Sequence, residues 1–352
     1  MARVHRLHLH IGVPKTGSSL IQKSLRNIRG PLRRRGVAYL DRKQMLRLPG
    51  YQRWASGTDG RPSKADFLDG IAETVEAVRS RGARKSRTVV ASNEAAAGHA
   101  RDFDEPFWPR TRVAVSDLVT AIQPRSTEVI VYVRRQDRLL ESLYMERIHR
   151  GRTLTWEEFR DDVCRDERVR YTELMAEIAE VPTVDSIRVR PFEVIQEGAP
   201  SFVADFLDAL GVADLIVDVP KKALSMTNPS YTEPAWRAAL AVNPLLDDDD
   251  QVTKVRRFLR ELFPVEDHPK APLLTDDERR DLIERYRAEN ERLFREHMPG
   301  FPVDAYSTPE GLASLEGAIP SVEMPDGRPP PPRGVLGKMR SALSGVRRRF
   351  RR

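Results

Sequence analysis

The stretch Leu7-His-Leu-His-Ile-Gly-Val-Pro-Lys-Thr-Gly-Ser-Ser-Leu-Ile-Gln22 joins a strand, a turn and the start of a helix within sixteen residues. Residues 5–11 read as a short buried strand, and an amphipathic helix is expected from residue 18 to about residue 35. Gly12 and Gly17 bound the turn between them, with Ser18 and Ser19 at the helix start. A helix that begins there offers unpaired N–H groups and the positive end of its dipole. Pro14, Lys15, Thr16, Gly17, Ser18 and Ser19 therefore make a candidate phosphate cradle, with Lys15 as a mobile positive charge inside it. The competing reading is an ordinary strand–turn–helix with a solvated lysine.

The position of the lysine narrows the chemistry. A Walker A loop puts lysine directly after its second glycine. Gly12 and Gly17 have that spacing, but Ser18 fills the lysine position and Lys15 comes two residues before the glycine. The string Pro14-Lys-Thr-Gly-Ser-Ser19 instead resembles the 5′-phosphosulfate loop of the sulfotransferases that use 3′-phosphoadenosine 5′-phosphosulfate (PAPS).

A second segment points the same way. Thr127-Glu-Val-Ile-Val-Tyr-Val133 is a run of the kind found in a buried parallel strand, and it leads into Arg134. A P-loop NTPase would commonly end such a strand in an aspartate for Mg²⁺. Arginine at that place suits a two-point grip on phosphate. Ser142 follows eight residues later, about two helical turns along. Arg134 and Ser142 at this separation resemble the family's 3′-phosphate site. The structural alternative for Arg134 is an ion pair with Asp137 or Glu141, and for Ser142 a neutral helix face.

The resemblance implies an α/β fold, a parallel β-sheet flanked by helices in the P-loop-like sulfotransferase arrangement, with a helical C-terminal part. It implies PAPS as donor, a carbohydrate or glycolipid as acceptor through a hydroxyl or amine, and no metal. It covers roughly residues 5–211 and fades beyond. Sulfuryl transfer also needs a base for the acceptor proton. Glu94 follows the strand expected at 87–92, and carbohydrate sulfotransferases similar to this chain use a glutamate base; His99 is the rival. The alternative for Glu94 is complementing a helix N-terminus. His8 and His10 alternate on the first strand and read as packed histidines. In Lys221-Lys-Ala-Leu-Ser-Met-Thr-Asn-Pro-Ser-Tyr231, a loop closing over nucleotide through Lys221, Lys222, Asn228 and Ser230 competes with a plain linker. No His, Cys and Asp cluster has metal-ligand spacing.

Along the chain, strands are expected at 5–11, 36–40, 87–92, 127–133 and 186–190, alternating with helices at 65–81, 113–123, 137–150, 155–165, 171–180 and 200–210. That alternation implies βαβ units and a parallel sheet. Residues 41–64 read as a loop that could meet the acceptor, and a long helix is expected at 275–297. The expected organisation is a catalytic domain over 1–300, a linker over 301–327 and a tail over 328–352.

Composition suits a cytoplasmic enzyme, with 40% hydrophobic residues and a single cysteine, which excludes an intrachain disulfide framework. The N-terminus enters a strand without an apolar leader, and no run of about 18 apolar residues occurs. Of the formal charge of +7, nine Arg and Lys without an acid lie in 328–352, which leaves −2 on residues 1–327. A near-neutral body argues against a nucleic-acid partner. In the tail, Leu336, Met339, Leu343, Val346 and Phe350 fall on one face if helical, with arginines around them. Segment 333–352 is thus a candidate for peripheral contact with an anionic membrane, at its inner face, against the alternative of a solubilising tail. Two other readings of the whole chain remain: a P-loop nucleotide or small-molecule kinase, and a non-catalytic binding protein recruited to membranes by its tail.

Overall fold

In the computed structural model, residues 3–81, 85–98, 107–163, 167–225 and 230–322 are described. His99, Asn228 and the whole of the basic tail lie outside them.

Five parallel strands form one sheet: β1 (Val4–Ile11), β2 (Val37–Leu40), β3 (Thr88–Asn93), β4 (Pro124–Val133) and β5 (Ser186–Pro191), in the order β2-β3-β1-β4-β5. The sequence dictates the central places of β1 and β4. Leu7, Leu9 and Ile11 of β1 and Val129 to Val133 of β4 are buried, as strands covered on both faces must be. Register is fixed by pairs such as Leu9 with Ala91 on one side and with Val129 on the other. Helices fill the connections, including Ser18–Asn27, Lys64–Arg79, Thr111–Ile122, Gln136–His149, Tyr171–Ala179 and Ala199–Ala209. The chain leaves β1 towards β2 and leaves β4 towards β5, so the connections part between the carboxyl ends of these neighbours. In open α/β sheets that parting is the crevice where ligands bind.

Three expectations need correction. The helix expected over 18–35 is two, Ser18–Asn27 and Arg29–Arg34, separated at Ile28. Pro31 has no N–H to donate to the carbonyl of Asn27, so the ladder cannot run through. The long helix over 275–297 likewise divides into Asp276–Arg285 and Arg287–His297, at the buried Tyr286. Residues 41–64 are not one loop: Arg42–Met45 and Tyr51–Ser56 are helical, the first started by a capping box on Asp41.

The compact unit extends to Val322, so residues 301–322, read from sequence as linker, belong to it. Phe301, Ala305, Tyr306, Leu315 and Ile319 are buried. Tyr306 donates its hydroxyl hydrogen bond towards Val133 O and Glu193, and Arg135 donates to the carbonyls of Thr308 and Pro309 at 2.9 and 3.1 Å. This segment therefore braces the end of β4. Among the described residues, no helix is long and apolar enough to cross a membrane.

Candidate active site

The loop after β1 gets its shape from small residues and one internal bond. Thr16, fully buried, donates its hydroxyl to Val13 O at 2.7 Å and closes the turn. Lys15 and Gly17 both have left-handed backbone, at φ 64° and 78°. That conformation is routine for glycine and costs about 1 kcal/mol for lysine. The helix then begins at Ser18 with no acid in its first turn; Leu20 and Ile21 N–H donate to Gly17 O, so the positive end of the helix is left to Ser18 and Ser19. Ser18 Oγ is buried without a hydrogen-bond partner among the described residues, whereas Ser19 is exposed. Pro14 and Lys15 are half-buried at the rim.

Arg134 meets this loop from the other side of the crevice. Its Nη1 donates to Lys15 O at 3.1 Å, its guanidinium lies 5.2 Å from the centre of the Phe192 ring, and its Nε is buried and unpartnered among the described residues. The alternative ion pairs do not claim it. Asp137 is held by Arg135 at 2.8 and 3.0 Å and by Arg279 at 2.6 Å, and Glu141 by Arg279 at 2.8 Å. Burial raises the Asp137 carboxyl, but these two guanidiniums outweigh it and hold the group below its ordinary range. Ser142 is half-buried on the helix Gln136–His149 that follows.

Glu94 approaches the loop from the end of β3. A Cβ added to Gly12 would lie 2.4 Å from Ser18 Oγ and 2.7 Å from Glu94 Cγ, so both side chains crowd against the bare glycine backbone. Glu94 Oε2 is 4.0 Å from Arg42 Nη2. Asn93 starts the short 3₁₀ turn that carries Glu94, accepting from Ala95 N at 2.9 Å and from the Tyr51 hydroxyl at 3.3 Å. Loop, Glu94 and Arg134 thus stand together at the carboxyl ends of β1, β3 and β4. Lys221, Lys222 and Ser230 are exposed. His8 pairs with Glu128 at 2.9 Å, and His10 with Ser92 Oγ at 2.9 Å, both within the sheet.

Electrostatics add residues that sequence reasoning missed. Burial pushes the Lys15 ammonium below the ordinary lysine value; Arg134, Arg150 and Arg260 push the same way, and Glu146 opposes them. His149 is pushed down to about 3 by burial, with Arg260, Lys15 and Arg256 adding to it. Arg256 and Arg260 lie on the helix Asp249–Leu262, far along the chain, where an i, i+4 basic pair reads as a solvated face. Only the folded packing of that helix reveals them. Several arginines thus act on Lys15 and His149, with Glu146 opposing them at Lys15. Among the described residues, no group of three or more His, Cys, Asp and Glu could hold a metal ion.

No family model matches the chain. It is similar to an uncharacterized protein of Archaeoglobus fulgidus, 27% identical over 181 residues, which covers 49% of this chain and 46% of that protein. The chain therefore spans less than half the length of that relative. Among solved structures it is similar to a sulfotransferase from Alicyclobacillus acidocaldarius, at 16% identity and a TM-score of 0.38, covering 74% of this chain and 96% of the other.

Proposed function

We propose that the protein is a PAPS-dependent sulfotransferase that transfers a sulfuryl group to a hydroxyl of a carbohydrate or glycolipid acceptor. The observation that carries this reading is the 3.1 Å hydrogen bond from Arg134 to the carbonyl of Lys15. It couples a strand-end arginine, suited to a 3′-phosphate, to a loop suited to a 5′-phosphosulfate. Ser18 Oγ and Arg134 Nε, unpartnered among the described residues, fit a ligand rich in phosphate oxygens. A kinase would need the Walker lysine, and Ser18 stands in its place.

In this reading the loop amides with Ser18 and Ser19 hold the 5′-phosphosulfate, and Arg134 with Ser142 the 3′-phosphate. The acceptor oxygen attacks sulfur in line and gives its proton to Glu94, or to His99. The sulfur–oxygen bond to the nucleotide breaks, and Lys15 stabilises the charge that gathers on the bridging oxygen. The tail at 333–352 would hold the enzyme at an anionic membrane surface and so favour a lipid-linked acceptor.

Thermal unfolding tests the donor. Adenosine 3′,5′-bisphosphate should raise the melting temperature well above any effect of ATP with Mg²⁺. Linkage gives about 2.7 kcal/mol at a hundredfold excess over Kd. Equal stabilisation by both would favour the kinase. Co-sedimentation of the full chain and of residues 1–327 with anionic and neutral vesicles tests the tail, and two soluble proteins at low salt would remove the membrane role.

A further inference from the structure

Glu193 is a buried acid that the reaction above does not use, and its neighbours fix where its proton sits. It follows Phe192, whose ring faces the Arg134 guanidinium, on the 3₁₀ turn Phe192–Glu197. Its Oε1 accepts from Arg135 N at 3.1 Å, and its Oε2 meets the Tyr306 hydroxyl. The same hydroxyl reaches Val133 O at 3.0 Å. Tyr306 is held in place between them. It is fully buried, its ring packs edge-to-face on Phe294 with centroids 4.9 Å apart, and its carbonyl accepts from Asn290 Nδ2 at 3.2 Å.

We propose that Glu193 is a neutral carboxylic acid in the folded protein, and that with Tyr306 it positions Arg134 while leaving the guanidinium's full charge to the 3′-phosphate of the nucleotide. This rests on the sulfotransferase reading above. One hydroxyl has one proton, and that of Tyr306 meets two acceptors. With Glu193 ionised, the Tyr306 proton goes to the carboxylate, and Val133 O faces a bare phenol oxygen in a buried site. With Glu193 protonated, its O–H donates to Tyr306 Oη and the Tyr306 O–H donates to Val133 O. Glu193 Oε1 still accepts from Arg135 N, so each of these contacts has its proton. Burial acts in the same direction. It pushes the Glu193 carboxyl above its ordinary value and the Tyr306 phenol well above, so the phenol stays protonated. A hydrogen bond from Tyr306, the charge of Arg134 and the Arg135 N–H pull Glu193 the other way, but Tyr306 does so only by giving up Val133 O.

Three consecutive residues at the end of β4 are thereby held by side chains. Tyr306 holds the carbonyl of Val133, Tyr171 the N–H and carbonyl of Arg134, and Glu193 the N–H of Arg135. From that seat the Arg134 side chain reaches Lys15 O and the Phe192 ring. A carboxylate at 193 would offset its charge before any phosphate arrived, whereas a neutral acid leaves that charge to the ligand.

Carboxyl-carbon NMR of the full chain, labelled at glutamate, decides the proton. At about pH 7 one glutamate signal should stand at the neutral-acid position and vanish in Glu193→Gln. Its absence from wild type overturns the proposal. Glu193→Gln keeps a neutral group of the same shape, with an amide N–H for the acid O–H. Its Kd for adenosine 3′,5′-bisphosphate should therefore stay within about threefold of wild type, whereas loss of an ionised partner of Arg134 would move it about tenfold or more. Tyr306→Phe should weaken bisphosphate binding about tenfold and leave adenosine 5′-phosphosulfate near wild type. An equal loss for both nucleotides overturns the positioning role and makes Tyr306 a residue of the fold. If the bisphosphate fails to bind wild-type protein, the donor reading and the positioning role fall together, and the labelled signal still decides whether Glu193 is neutral.

Discussion

The hydroxyl of Tyr171 bridges both polar ends of Arg134: it accepts from the Arg134 N–H at 3.2 Å and donates to the Arg134 carbonyl at 2.6 Å. Tyr171 is fully buried, and burial pushes its phenol far above the ordinary range, so it stays a donor. The clamp fixes the backbone from which the guanidinium reaches the loop. Tyr171→Phe keeps the ring beside Trp108 but leaves a part-buried N–H and C=O without their partner, which costs about 1–3 kcal/mol. Its affinity for adenosine 3′,5′-bisphosphate should drop about tenfold, while affinity for adenosine 5′-phosphosulfate, without the 3′-phosphate, stays near wild type. An equal loss for both nucleotides would reduce Tyr171 to a packing residue.

Arg134 and Lys15 should separate binding from chemistry. Arg134→Ala removes a charged partner from a phosphate and should weaken nucleotide binding by about 2–4 kcal/mol. Lys15→Ala should mainly lower kcat, because its contact strengthens as the leaving oxygen gains charge. Isothermal titration and steady-state rates on the two variants give the comparison. A Lys15 variant that loses affinity and keeps kcat would reverse the roles.

What the sequence revealed of this site was local, and what it hid was distant. Pro14 to Ser19 could be read because strand, glycine turn and helix start are consecutive, and Arg134 because it ends an unmistakable buried strand. The five strands were legible for the same reason, as apolar runs of the length a parallel sheet requires. Tyr171, Arg256 and Arg260 were not. Tyr171 acts through hydrogen bonds to Arg134, and the two arginines through their charge on Lys15 and His149, all remote in the chain, and neither a tyrosine at a helix start nor an i, i+4 arginine pair differs in sequence from a surface feature. The same holds for 301–322, where buried Tyr306 and Leu315 stand among Pro, Gly and Ser that read as linker.

Gly12 and Glu94 make a linked test of the base. Glu94→Gln should abolish turnover with nucleotide affinity almost unchanged, since the carboxylate is asked to take a proton rather than hold the donor. Gly12→Ala acts by crowding: its Cβ would fall 2.4 Å from Ser18 Oγ and 2.7 Å from Glu94 Cγ, which no real contact tolerates. Both activity and nucleotide affinity should therefore fall in Gly12→Ala. Full activity in Glu94→Gln would move the base elsewhere, with His99 next to be changed.

Acid should destabilise the fold through its buried histidines. His10 and His149 are each pushed down to about 3, first of all by burial, from an ordinary value of 6.5. A base whose folded pKa lies below its unfolded one binds fewer protons when folded, so stability falls as pH drops below the unfolded value. The loss grows by about 1.4 kcal/mol per pH unit per group until the folded pKa is reached. Between pH 7 and 5.5 that is about 1 kcal/mol for His149 alone. Glu193 and Asp205, both raised by burial, run the other way, so the comparison must be made at one position. Urea unfolding of wild type and His149→Phe at the two pH values isolates it. The variant's stability should fall by about 1 kcal/mol less than wild type over this interval. Parallel pH profiles would mean that His149 is protonated in the fold, and that the cations around it do not hold it neutral.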